Sequence, residues 1–202
     1  MNVPTPTDTD RGQVGIGTLI IFIALVLVAA VAAGVLVNTA GDLQSRAADT
    51  GADAQAQVSN QIDVVSATGV ALNSTAGVER VELVVKKSAG SDAIDLSEAT
   101  IQYRSESDAL TLTHGTAAEG NGGAREFLTE AVVDTDSDDV LTNSDERIRL
   151  LINTSKIEGT ASDTVELGSG DSVDLEIVDQ SGASTTYGVN IPDVLSGDYA
   201  RV

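Results

Sequence analysis

The chain has 202 residues, with 31 Asp and Glu against 11 Lys and Arg, a formal net charge of -20, and no cysteine. That balance excludes electrostatic capture of nucleic acid or of anionic lipid headgroups, and the missing thiols exclude disulfides and cysteine metal sites. The acidic residues are spread from Asp42 to Asp198 rather than gathered in a tail, and the only lysines are Lys86, Lys87 and Lys156.

Residues 14 to 37 are apolar or small throughout, and no charge falls between Arg11 and Asp42. At ~1.5 Å per residue, a helix over this run crosses the ~30 Å hydrocarbon layer of a bilayer. A secretory signal has an apolar segment of only ~7 to 15 residues ahead of its cleavage site. The run therefore reads as a retained anchor. Its large side chains include Ile20, Ile21, Phe22, Ile23, Leu25, Leu27 and Leu36, interspersed with Ala30, Ala33 and other small residues that let helix backbones approach closely. The stripe continues through Ala40, Leu43, Ala47, Thr50, Ala54, Val58, Ile62 and Val65 at spacings of three and four. One helix from Gln13 to Ser66 is predicted, with Gly41 and Gly51 as soft points, because glycine inside a helix costs ~1 kcal/mol relative to alanine.

From Val78 the period changes from helical to alternating. Val81, Leu83 and Val85; Ile101 and Tyr103; Leu110 and Leu112; Ile148, Leu150 and Ile152; Val173, Leu175 and Ile177; and Tyr187, Val189 and Ile191 each place apolar residues on one face, with turn residues between the groups. Six or more short strands suggest an antiparallel sandwich or barrel, and the expected fold class is α+β: a long apolar helix followed by an antiparallel β-sandwich, immunoglobulin-like in kind. Ala117 to Glu126 reads as a glycine-rich flexible loop.

Sites of chemistry are few. His114 is the only histidine, and no nucleophile, base and acid set can be assembled around it from spacing, so it reads as a surface or strand-end residue and the chain as no enzyme. Asp134, Asp136 and Asp138 have calcium-loop spacing, but the sharp-turn glycine is replaced by Asp139 and the twelfth position is Asp145 instead of glutamate. A solvated acidic turn is the stronger reading, structural calcium the alternative, and no other cofactor is implied. Asn73-Ser74-Thr75 and Asn153-Thr154-Ser155 are acceptor sequons for N-glycosylation outside the cell.

The sequence Arg11-Gly12-Gln13-Val14-Gly15-Ile16-Gly17-Thr18-Leu19-Ile20 resembles the processing site and mature N-terminus of archaellins, the archaeal flagellins. Val81 to Tyr103 is similar to the first strands of the archaellin outer domain, so the resemblance covers residues 11 to 104. It implies a class III signal peptide over residues 1–12, cut between Gly12 and Gln13 by a prepilin-type peptidase. It further implies a helix, 13–66, that anchors the precursor in the cytoplasmic membrane and then forms the core of a helical homopolymer, and an outer domain, 67–202. Glycans on Asn73 and Asn153, other archaellins and the archaellum motor as partners, and an extracellular location follow from the same resemblance. The even carboxylate coat with scarce lysine resembles the surfaces of proteins from salt-loving archaea.

Three functions compete. The first is a structural subunit of the archaellum filament used for swimming. The second is an adhesive type IV pilin, whose family typically carries glutamate at the fifth mature position, where this chain has Gly17. The third is a membrane-anchored extracellular binding domain or enzyme, for which the long striped helix would be superfluous.

Overall fold

The computed structural model describes residues 8–71, 77–116, 123–133, 137–158, 167–193 and 197–202, with side chains from Gly12 onward. The chain divides into two compact units, Met1–Ala52 and Asp53–Val202. The first is the body of α1, a helix over Asp8–Ser59. At ~1.5 Å per residue it is about 80 Å long. It runs uninterrupted through Gly41 and Gly51.

The expected helix end at Ser66 is corrected to Ser59, because Ile62–Val70 is a strand, β1. Ile62 and Val65 fit a helical stripe by spacing, but tertiary pairing overrides it. β1 pairs antiparallel with β3 (Arg80–Lys87), and a bulge between Val64 and Ser66 takes Val65 out of the alternation. Val65 is accordingly half exposed while Ile62 and Ala67 are buried. The bulge is what disguised a period of two as a period of three to four.

The remaining elements are β2 (Gly77–Val78), β4 (Ile94–Asp95), β5 (Thr100–Arg104), β6 (Ala109–His114), β7 (Glu126–Val133), β8 (Val140–Leu141), β9 (Arg147–Ile152), α2 (Thr154–Glu158), β10 (Leu167–Gly168), β11 (Ser172–Val178), β12 (Ser184–Asn190) and β13 (Tyr199–Arg201). Each alternating segment of the sequence falls on a strand, apart from Ile191 just beyond β12. β7 was not foreseen: Phe127 and Leu128 are adjacent and both buried, which breaks the two-residue period.

In place of two separately bonded immunoglobulin-like sheets, the main strands join one sheet in the order β12-β11-β5-β6-β7-β9-β3-β1-β13. Every pair in it is antiparallel except β6 with β7, which run parallel over Thr113 and His114. The sheet curls until β12 approaches β1. Its concave face holds one core, in which Leu83, Tyr103, Phe127, Ile148, Leu150 and Leu175 are fully buried. The small pairs β10-β2 and β4-β8 lie outside that sheet.

Two glycines have a steric reason. A Cβ at Gly69 would lie 2.9 Å from Val78 Cγ2 and 3.0 Å from Val202 Cγ1, closer than real contacts allow. Gly182, with φ +82, completes the β11–β12 turn. In that turn Asp179 Oδ1 accepts from Ser181 N at 2.8 Å and from Ala183 N at 2.9 Å. The same turn grips the last part of α1 within the second unit. Gln57 Nε2 donates to the Gly182 carbonyl at 3.3 Å, and the buried Asn60, just past the helix, accepts from Asp92 N at 3.0 Å.

Candidate assembly surface

The apolar run of α1 is exposed along its whole length. Gly12–Ser59 holds a stretch apolar and long enough to cross a bilayer, none of it buried in the chain. Phe22 is 65% exposed, and Ile20, Ile21, Ile23, Leu25, Leu27 and Leu36 are likewise uncovered. Ala30 and Ala33 lie on the same exposed helix. Burying Ile20, Ile21, Phe22, Ile23, Leu25, Val26, Leu27 and Val28 at ~1.5 to 3 kcal/mol each gives an upper figure of roughly 12 to 24 kcal/mol. That is comparable with the whole stability of a typical domain, ~5 to 15 kcal/mol. Such a surface cannot stay in water.

No packing inside the subunit requires the glycines of the run. A Cβ built on Gly15, Gly17 or Gly34 would meet nothing within 4 Å. Their size matters only to something that approaches from outside, as between close-packed helices. The Gly12–Gln13 junction lies inside the helix, which begins at Asp8.

The outer domain holds the other residues singled out in the sequence. Asn153 caps α2: its Oδ1 accepts from Lys156 N at 3.1 Å and from Ser155 Oγ at 2.8 Å. Thr154, the middle residue of that sequon, is fully buried and donates from Oγ1 to the Val78 carbonyl at 2.8 Å. Asn73, Asp134 and Asp136, and the loop residues 117–122, lie outside the described residues. Asp138 stands just before β8, and among the described residues no group of three His, Asp or Glu side chains is placed to hold a metal ion.

His114 ends β6, as its reading as a strand-end residue required. It does gather partners that spacing could not reveal. Its Nε2 lies 2.9 Å from Thr129 Oγ1 and 3.3 Å from Asp139 Oδ1, and its ring meets Phe127 edge-on. Thr129 donates its hydroxyl proton to Asp139. When Nε2 carries a proton, it donates toward both the Thr129 hydroxyl oxygen and the Asp139 carboxylate. The trio borders an open depression of about 630 Å³ that Arg80, Glu82, Glu130 and Arg149 also line. Arg80 pairs with Glu82 and Arg149 with Glu130, each at 3.0 Å.

Two carboxylates are strongly held. Burial pushes Glu146 up, but the Thr142 hydroxyl, the Asn143 and Thr142 amides and the Asn143 side chain pull it further down, to about 2. Burial likewise raises Glu158, and hydrogen bonds from Ser107, Ser105 and Tyr103 outweigh it and lower its pKa. The Tyr103 hydroxyl, 2.8 Å from Glu158, is pushed up by burial and by that carboxylate. The Glu146 cluster closes the turn 142–146, and the Glu158 cluster fastens α2 and the β5–β6 turn to β5 of the sheet.

The family model for archaeal-type flagellin matches residues 12–189. Flagellin A2 of Halobacterium salinarum is 47% identical over 169 residues, covering 84% of this chain and 82% of that protein. Flagellin A2 of Haloferax volcanii is 40% identical over 187 residues, covering 85% and 84%. Among solved structures, the archaeal flagellum of Methanospirillum hungatei aligns with TM-score 0.64 at 20% identity, over 92% of this chain and 98% of that one. Flagellin FlaB1 of Methanocaldococcus jannaschii aligns with TM-score 0.61 at 15% identity, over 70% and 96%; both likenesses show a shared fold. The chain belongs to the archaeal-type flagellin family.

Proposed function

We propose that this chain is a structural subunit of the archaellum, the extracellular filament that archaea rotate to swim, and that it polymerises through α1. One observation carries this: the large side chains of the apolar run 14–37 are all exposed and the run is uncharged, in a chain whose later residues are strongly acidic. In the precursor the run sits in the cytoplasmic membrane. A prepilin-type peptidase cuts between Gly12 and Gln13, leaving the run on the mature chain, which then exchanges lipid for a bundle of like helices. Other flagellins and the motor at the filament base are its partners. N-glycans on Asn73 and Asn153 add to the outer surface, and the role is structural, with no step that requires a cofactor.

Removing the chain from its cells should abolish swimming while attachment persists; loss of attachment alone would make it an adhesive pilin. Protein shed into the medium should begin at Gln13. Its formal charge should be -19, because residues 1–12 carry Asp8, Asp10 and Arg11, -1 of the total -20. A start at Met1 would overturn the processing step.

A further inference from the structure

Just beyond the apolar run, α1 carries Asp42, Arg46 and Asp49, all exposed. At ~100° per residue the three lie within about 60° of one another, on one stripe of the helix. Leu36, Ala40, Leu43 and Ala47 form the neighbouring apolar stripe, about 120° round. That is the layout of helices that pack on like helices, an apolar seam flanked by charges that set partner and register. Arg46 is the only cation between Arg11 and Arg80, and among the described residues it makes no ion pair within the chain. Asp42 and Asp49 make none either.

We propose that Arg46 pairs with Asp42 or Asp49 of a second copy of this chain, and that this contact fixes the axial stagger between neighbouring α1 helices. The inference rests on the filament reading given above. The apolar run cannot fix the stagger alone, since large apolar side chains recur along it and one register resembles the next. A single cation flanked by two carboxylates removes that degeneracy. Pairing with Asp42 displaces neighbours by about 6 Å, and pairing with Asp49 displaces them by about 4.5 Å in the opposite sense, at ~1.5 Å per residue. Partial desolvation against the seam is what lets the pair survive in brine, where a Debye length of ~3 Å at 1 M screens exposed charges.

The absence of native cysteine makes the test clean. Full-length chains carrying Arg46→Cys and chains carrying Asp42→Cys or Asp49→Cys are co-expressed with excess unsubstituted chain in a halophilic archaeon lacking its own flagellins. Shed filaments are then oxidised. A disulfide-linked dimer is expected in one of the two mixtures and not with Arg46→Cys chains alone, because a disulfide needs Cα atoms within about 7 Å. In parallel, Arg46→Glu should cut shed filament at least about tenfold while its membrane pool is unchanged, with Arg46→Lys restoring most of it. Normal filaments from Arg46→Glu, or assembled filaments with no dimer in either mixture, would overturn the proposal and leave the filament reading standing. Failure of the unsubstituted chain to form filaments would instead remove that reading.

Discussion

Gly34→Leu separates a polymer core from a plain anchor, because its effect has opposite signs in the two settings. Within the subunit nothing stands within 4 Å of a Cβ at Gly34, so the leucine causes no clash. Replacing glycine by a good helix former should stabilise α1 by about 1 kcal/mol, and the added side chain makes membrane insertion more favourable. In a close-packed bundle the same leucine overfills the approach between helices at a cost of ~1 to 3 kcal/mol. Every subunit repeats that cost. At 1.4 kcal/mol per decade, the concentration needed for assembly should rise between about 5-fold and about 100-fold. Blotting the membrane fraction, sequencing the N-terminus and imaging the shed fraction read all three quantities from one culture. Wild-type amounts of regular filament from Gly34→Leu would show that this face of α1 is not packed, and would refute the argument that its small residues serve close approach.

Three further outcomes are expected. The Glu146 carboxyl sits at about 2 in the folded chain against an ordinary 4.5, so its stabilising contribution is complete above the ordinary value and is lost as pH falls through the lower one. Glu146→Gln should flatten the fall of melting temperature across that window, and an unchanged profile would remove Glu146 as a cause of acid sensitivity. Thr154→Val leaves the sequon at Asn153 intact but strands the Val78 carbonyl, costing ~1 to 3 kcal/mol in urea unfolding, whereas Thr154→Ser should recover most of it; equal stability of the two variants would contradict the role of the hydroxyl. With 31 acidic residues against 11 basic ones, melting temperature of purified filaments should climb with NaCl into the molar range, and a flat curve would count against screening as the reason.

How far the sequence could be read depended on whether structure is encoded locally. The apolar run and its helix are set by a composition that only one structure satisfies in lipid, and the strands of Leu83, Ile101, Ile148 and Leu175 by clean alternation. β1 was hidden because Ile62 and Val65 continue the helical spacing, and only pairing with β3 and a bulge decide against it. β7 was hidden because Phe127 and Leu128 both turn inward from adjacent positions. The trio of His114, Thr129 and Asp139 is brought together by the parallel approach of β6 to β7 and the loop before β8, long-range facts with no trace in spacing. The exposed face of α1 was legible as apolar. That Gly15, Gly17 and Gly34 have no packing reason within the chain is a property of the folded structure, which spacing does not carry.

The apolar helix and the acidic coat constrain one another. Gathering copies of a chain that keeps -19 of its -20 after residues 1–12 are removed raises a repulsion that grows with every subunit added, and none of it is relieved by the uncharged residues of the run 14–37. The roughly 12 to 24 kcal/mol by which the run avoids water holds an assembled subunit in the filament against release into brine, whereas the step out of lipid rests on close packing between helices. At ~3 Å screening in 1 M salt, carboxylates on adjacent domains cease to feel one another beyond contact range, while apolar burial is untouched or strengthened. In dilute solution, where screening reaches ~30 Å at 0.01 M, the coat opposes the helix across whole domains. The same carboxylates that keep the domain hydrated in brine thus make assembly conditional on brine.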